Sequence, residues 1–367
     1  MTKRSFQNKI HTYISKLESL EVSYGRKHTD IMCLKIINPW FEDYLNILTS
    51  TSLFRLNGKM QVHPLNNGFD GSNITSPHIS TRRMHTDLVI KIAVIIASKL
   101  GLNIALCMAI AAGHDVGHPP FGHNGERVLG VKHPLISAIM LQMIERNGKG
   151  LNLTWEVVCG IINHSRNNEE LYFEHNLPNE INVVVIADKL AYLFLDIKEL
   201  ENNKPNWLSP KEISEIVNIV NRLGINRTER TKSCINEIVN ESLEEGKVSF
   251  SKSEEAKIFR IARDWMYKNY YKVMDFKEER LHQANKLKLV LEFFANNELC
   301  KNLAPEFVVS MLVDNEINWL ANLLHYRYPT KEDFKQIYQL SAVEIVSSLD
   351  PNIEINHNES PLWEHSP

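Results

Sequence analysis

A chain of 367 residues with 43% hydrophobic content can bury a full core, and its 41 basic against 44 acidic residues leave neither the basic excess of a nucleic-acid groove nor an acidic tail. Its five cysteines (Cys33, Cys107, Cys159, Cys234, Cys300) are odd in number and never spaced C-x-x-C, which argues against a disulfide framework or a cysteine zinc site and fits a reducing cytoplasm. The opening MTKRSFQNKIHTYISKLESL is charged and amphipathic, and the most apolar run, LVIKIAVIIASKLGL, is broken by Lys91 and Lys99, so no membrane span is expected.

Apolar residues recur at spacings of three and four along most of the chain, which predicts a mostly helical protein. In order, helices are expected in FEDYLNILTSTSLFRL (41–56), DLVIKIAVIIASKL (87–100), LNIALCMAIAAGHD (102–115), HPLISAIMLQMIERNG (133–148), TWEVVCGIINHS (154–165) and INVVVIADKLAYLFLDIKEL (181–200). Between the first two, GKMQVHPL (58–65) reads as a short extended ribbon and NNGFDGSNITSPHIS (66–80) as a loop rich in turn formers. Further on, Ser209 followed by Pro210 and Glu212 is a capping box that opens a helix over ISEIVNIVNRLG. GKVSFSK (246–252) is a second short ribbon, and Thr330 before KEDFKQIYQL marks a late helix start. The two ribbons allow at most a small hairpin. The stretches 201–209 and 225–232 could serve as linkers, but neither has the composition of a domain boundary.

Ionisable groups concentrate in HDVGHPPFGHNGE (114–126). His114 and Asp115 close a helix just ahead of the rigid Pro119–Pro120 turn, where both side chains can face one cavity. An imidazole beside a carboxylate suits a hard or borderline divalent metal. His85, early in its helix, is a candidate third ligand. Asp188 is a fourth, because a carboxylate inside VVVIADKLAYLF costs several kcal/mol unless a cation or hydrogen bonds compensate it. Each of the four taken singly reads as a satisfied core polar group; their density is what suggests a site.

These residues resemble the HD-domain metal phosphohydrolases, and within them the deoxynucleoside triphosphate triphosphohydrolases of the dGTPase-like branch. FRLNGKMQVHP (54–64), TRRMHT (81–86), HDVGHPPFGHNGE, ADKLAYLFLD (187–196) and PTKEDFKQIYQL each resemble a family segment, so the likeness covers roughly residues 35–345. It implies an all-α HD fold in one helical domain over 1–367, with a catalytic core at about 54–200 and a C-terminal helical part at about 209–350. It further implies one divalent ion, manganese or magnesium first with iron, nickel or zinc as alternatives, held by His85, His114, Asp115 and Asp188. By the family pattern His123 protonates the leaving oxygen with Glu126 behind it, and His118 supports the nucleophile or the α-phosphate. Arg82, one helical turn before His85, is expected to bind phosphate, as is Lys189, a residue that resembles the mammalian relatives. In the family the tyrosine matching Tyr192 packs on the sugar and the aspartate matching Asp196 accepts the 3′-hydroxyl. As bare residues they read instead as a core aromatic and a solvated helix charge.

Arg55 is a candidate sugar or phosphate contact that reads almost equally well as a surface arginine. The family's Phe-Glu-His-Asn and Gln-x-Leu-Arg elements are absent after the signature; GVKHPLISAIMLQM keeps only His133, a candidate for the pocket wall. His164 reads as structural. The expected reaction is hydrolysis of a dNTP to deoxynucleoside and inorganic triphosphate. The alternatives are a phosphodiesterase or phosphatase acting on another nucleotide, or a silent nucleotide-sensing protein. Relatives of this kind form tetramers or hexamers and respond to dNTP or single-stranded DNA effectors, so a homo-oligomer with such an effector is the expectation.

Overall fold

The computed structural model describes residues 38–62, 80–165, 178–296 and 304–329. The charged N-terminal segment, the loop over 66–79, the helix after Thr330, Cys33 and Cys300 lie outside the described residues.

The elements, in chain order, are α1 (Pro39–Leu48), α2 (Thr51–Arg55), α3 (Arg82–Leu100), α4 (Ile104–Gly113), α5 (His123–Leu129), α6 (His133–Ile139), α7 (Trp155–Asn163), α8 (Asn179–Asn203), α9 (Pro210–Asn221), α10 (Arg227–Glu245), α11 (Glu254–Met266), α12 (Glu278–Ala295), α13 (Pro305–Met311) and α14 (Asp314–Leu324). Side chains satisfy the free amides that begin several of them: Asn38 accepts from Trp40 and Phe41, Thr81 from Met84, and Asn103 from Leu106. The capping box read at Ser209 is formed reciprocally with Glu212. Gly101 closes α3 at φ 67°, a conformation glycine takes without a Cβ penalty.

Among the described residues there is no strand. The ribbon expected at 58–65 is reduced to one antiparallel bridge, Met60 to Thr81, with Gln61 N–H donating to Ser80 O and Arg82 N–H to Lys59 O. That bridge fastens Lys59–Gln61 to the start of α3, the helix that carries His85. The second ribbon does not pair with it, and at its end the Glu241 carboxylate accepts from the backbone N–H groups of Ser251, Lys252 and Ser253.

Two apolar clusters organise the helices. In the first, α8 packs on α3 and α4, and α10 packs on α3 and α8. Residues Val183–Ala187 of α8 and Ala109–Ala112 of α4 are buried, and each large aliphatic side chain buried this way contributes about 1.5–3 kcal/mol. The second cluster joins Met60, Phe121, Leu129 and Ile136 to α12, α13 and α14. The segment 114–126 runs from one cluster to the other: Val116 belongs to the first and Phe121 to the second. No described helix is long and apolar enough to cross a membrane.

Candidate functional site

Helix α4 ends where its successor residues must approach α6. A Cβ on Gly117 would lie 2.1 Å from Ser137 N, so only glycine lets the backbone pass. Gly117 N–H donates to Ser137 Oγ at 2.8 Å, and the Ser137 hydroxyl donates to His114 O at 2.8 Å. The chain then turns through Phe121 and Gly122, at φ 61° and 58°, before entering α5. A phenylalanine in that left-handed region is strained, and it is held by Asp314 of α14, whose carboxylate accepts from Phe121 N–H at 2.8 Å and Met60 N–H at 2.9 Å. Behind the turn, the fully buried Lys59 ammonium donates to His118 O and Ser310 O; burial holds it down to about 7.

The four expected metal ligands meet. Nε2 of His85 is 2.9 Å from Asp188 Oδ1 and 3.9 Å from Asp115 Oδ2. His114 Nε2 is 3.5 Å from Asp115 Oδ1 and 3.9 Å from Asp188 Oδ1. His114 donates Nδ1–H to Ala111 O at 2.7 Å, which leaves Nε2 bare, buried and, among the described residues, without a hydrogen-bond partner. Burial keeps that imidazole neutral by pushing its pKa down. An unprotonated nitrogen facing two carboxylates, with its other nitrogen anchored to a carbonyl, is the arrangement a divalent ion requires. Burial opposes the Asp115 carboxylate, but His114, His118 and Arg82 outweigh it and hold the group well below the usual range. Asp188 is likewise held to about 2, by the His85 hydrogen bond against burial.

Arg82 pairs with Asp115 Oδ2 at 2.8 Å, both groups being buried. Gly122 leaves room for it: a Cβ there would lie 2.6 Å from Arg82 Nη2. Arg82 thus sits at the cluster, engaged with a candidate ligand.

A second group adjoins the first. His123 Nδ1 is 2.5 Å from Glu126 Oε2, and the His123 side chain is 67% exposed, so a ligand can reach it. The other oxygen of Glu126 accepts from His133 at both its backbone N–H and Nδ1, each at 2.8 Å. His133 therefore does more than line a wall: its ring stacks on His118 with centroids 3.7 Å apart. Burial drives His118 well below its ordinary value, with Arg82 and His133 adding to the effect. His164, read from sequence as structural, is buried in the same cluster, its Nε2 3.1 Å from that of His133. A lone histidine ending an apolar helix carries no sequence signal for this.

On α8, Lys189 is buried beside Asp188, and burial together with the Arg263 charge holds it down to about 8. Asp196 is not a solvated helix charge, because it is 2% exposed. The Tyr271 hydroxyl donates to its Oδ2 at 2.6 Å, while Oδ1 has no hydrogen-bond partner among the described residues. Tyr271 lies in a π-turn (Tyr267–Tyr271) that continues α11, and its ring meets that of Tyr192 edge to face at 6.5 Å. Burial pushes the Asp196 carboxyl well above its usual range, although the tyrosine hydroxyl acts the other way. Arg55 is not brought to the cluster: its guanidinium donates to Met311 O at 2.8 Å and pairs with Glu316 at 3.3 Å. Nor is it a surface residue, being largely buried by α13 and α14.

Comparison with known proteins agrees with this picture. The HD domain family matches residues 82–193, the span from Arg82 through α8 as far as Leu193. The chain is 34% identical over 271 residues to a deoxyguanosinetriphosphate triphosphohydrolase-like protein of Clostridium tetani, covering 71% of this chain and 73% of that one. Proteins of the same description from Caldanaerobacter subterraneus (33% identity, 72% and 71% covered) and Clostridium perfringens strain SM101 (35%, 71% and 76%) are similarly close.

Proposed function

The chain belongs to the HD-domain family of deoxyguanosinetriphosphate triphosphohydrolase-like proteins, and on that premise we propose that it hydrolyses a deoxynucleoside triphosphate to the deoxynucleoside and inorganic triphosphate. The observation that carries this reading is the convergence of His85, His114, Asp115 and Asp188, with the buried Nε2 of His114 left bare among them. A divalent ion held there, manganese or magnesium in this proposal, would polarise a phosphate oxygen and lower the pKa of water toward about 7.

The protein's own groups supply the rest. Arg82, paired with Asp115, and Lys189, beside Asp188, are the cations assigned to the triphosphate. His118, held neutral, is assigned to the α-phosphate side. His123, exposed and backed by the Glu126 carboxylate, is assigned to deliver the proton to the leaving 5′-oxygen. Asp196 has one oxygen committed to Tyr271 and one free, and the free one is assigned to the sugar 3′-hydroxyl, with Tyr192 closing the space where a ribose 2′-hydroxyl would go.

A phosphodiesterase or phosphatase indifferent to the sugar would not need this last arrangement. The test is a panel of dNTPs and NTPs with Mn²⁺ or Mg²⁺, products separated by ion-exchange chromatography. Triphosphate should be released from dNTPs and not from NTPs. In Asp196→Ala, kcat/KM for dNTPs should fall by about 2- to 13-fold, the worth of one hydrogen bond to an uncharged group. Diphosphate or monophosphate as the first product, or equal turnover of NTPs, would overturn the reading.

A further inference from the structure

The turn that carries His118 and His123 is gripped from outside the matched family span of 82–193. Asp314, at the start of α14, is 2% exposed. Its Oδ1 accepts from Phe121 N–H at 2.8 Å and its Oδ2 from Met60 N–H at 2.9 Å, so one carboxylate joins the turn to the segment that bridges to α3. Lys59, 1% exposed, makes a second tie: its ammonium donates to His118 O and, at 2.9 Å, to Ser310 O in α13. The two buried charges favour each other's ionised form. The same two stretches meet again where Arg55 donates to Met311 O at 2.8 Å, and at Gly58, where a Cβ would lie 2.9 Å from Val313 Cβ. Residues 310–314 and 55–60 therefore close on the turn together.

The turn has reason to need holding. Phe121 sits at φ 61°, a region that a bulky residue rarely takes, while its ring is packed in the second apolar cluster. Without an acceptor fixed opposite its N–H, the backbone would relax toward negative φ and carry its neighbours along. Those neighbours include His118 and His123, whose ring centroids are 5.0 Å apart at the two ends of the turn. A displacement of about 1 Å in a reacting group costs on the order of 10² in rate. We propose that Asp314 and Lys59 are positioning residues, through which α13 and α14 set where His118 and His123 stand. Their kinetic consequence rests on the reaction proposed above; the grip on the turn does not.

The test uses the full-length chain carrying Asp314→Asn, which keeps the side-chain volume but replaces one acceptor oxygen with an amide NH₂. Backbone amide exchange, read by mass spectrometry, should quicken about tenfold in peptides spanning 118–123, the worth of one hydrogen bond to a charged acceptor, and stay at the wild-type rate in α8 and α10. In steady-state assays with dNTP and Mn²⁺, kcat should fall by about 10- to 100-fold with KM within about twofold of the wild type. Lys59→Met, similar in length but donating nothing, should give the same split between kcat and KM. Unchanged exchange over 118–123 in Asp314→Asn would overturn the proposal. So would exchange raised equally throughout α12, α13 and α14, which would make Asp314 a stabiliser of those helices. A turn that opens in both variants while kcat stays within about twofold would overturn the positioning role. If the wild type releases no triphosphate but the turn still opens in Asp314→Asn, the reaction falls and the grip of Asp314 stands.

Discussion

Asp188→Asn is expected to lower triphosphate release by at least about 10³-fold, because several kcal/mol of charge stabilisation in the transition state depend on a held ion. The carboxamide keeps the volume of the side chain and can still hydrogen-bond His85 Nε2, which lies 2.9 Å from Asp188 Oδ1. What it loses is the negative charge that, with Asp115, faces the two imidazoles. Asp188 is also the most exposed of the four, at 22% for its side chain, so the neutral replacement strands no buried cation. The fold should therefore persist, with an unchanged circular dichroism spectrum and a thermal midpoint within a few degrees. Steady-state assay of triphosphate release alongside these measurements checks the prediction. Activity within tenfold of the wild type would remove Asp188 from the ligand set.

His123→Ala is expected to lower kcat by about 10²- to 10⁴-fold, the range for loss of a positioned general acid, with little change in KM. His123 combines an exposed ring with a 2.5 Å contact to Glu126, so it can reach a ligand and remain oriented. Glu126 is itself fixed from the other side by His133, and its anionic form is favoured by those imidazoles even against burial. Glu126→Gln should therefore lower kcat as well, by a smaller factor, through misorientation of His123. The diagnostic is a substrate with sulfur in place of the bridging 5′-oxygen, which leaves without needing a proton. His123→Ala should cleave this analogue at close to the wild-type rate while remaining impaired on the natural ester. Equal impairment on both would mean that His123 binds or positions and does not donate the proton.

The all-helical class was legible because apolar spacing and the Ser209 capping box point the same way. The convergence of His85, His114, Asp115 and Asp188 was legible from residue type and helix context, since a carboxylate inside an apolar run and an imidazole at a helix end ask for partners. The residues that complete their surroundings were not. Asp314 reaches Phe121 across 193 positions and Tyr271 reaches Asp196 across 75, and no local pattern announces contacts of that range. Asp196 looked like a solvated charge because helical spacing cannot show that the π-turn after α11 covers that face of α8. Arg55 was placed near substrate from its motif, whereas α13 and α14, distant in sequence, capture its guanidinium. His164 was set aside because one histidine on an apolar helix carries no information about the imidazole opposite.

In the proposed reaction, water attacks the α-phosphorus at the residues gathered around Asp115. Turnover of dGTP by Mn²⁺-loaded protein in ¹⁸O-labelled water, with the products resolved by mass spectrometry, reads this directly. One labelled oxygen in inorganic triphosphate and none in deoxyguanosine is the result predicted. Label in pyrophosphate, in orthophosphate or on the nucleoside 5′-carbon would contradict it.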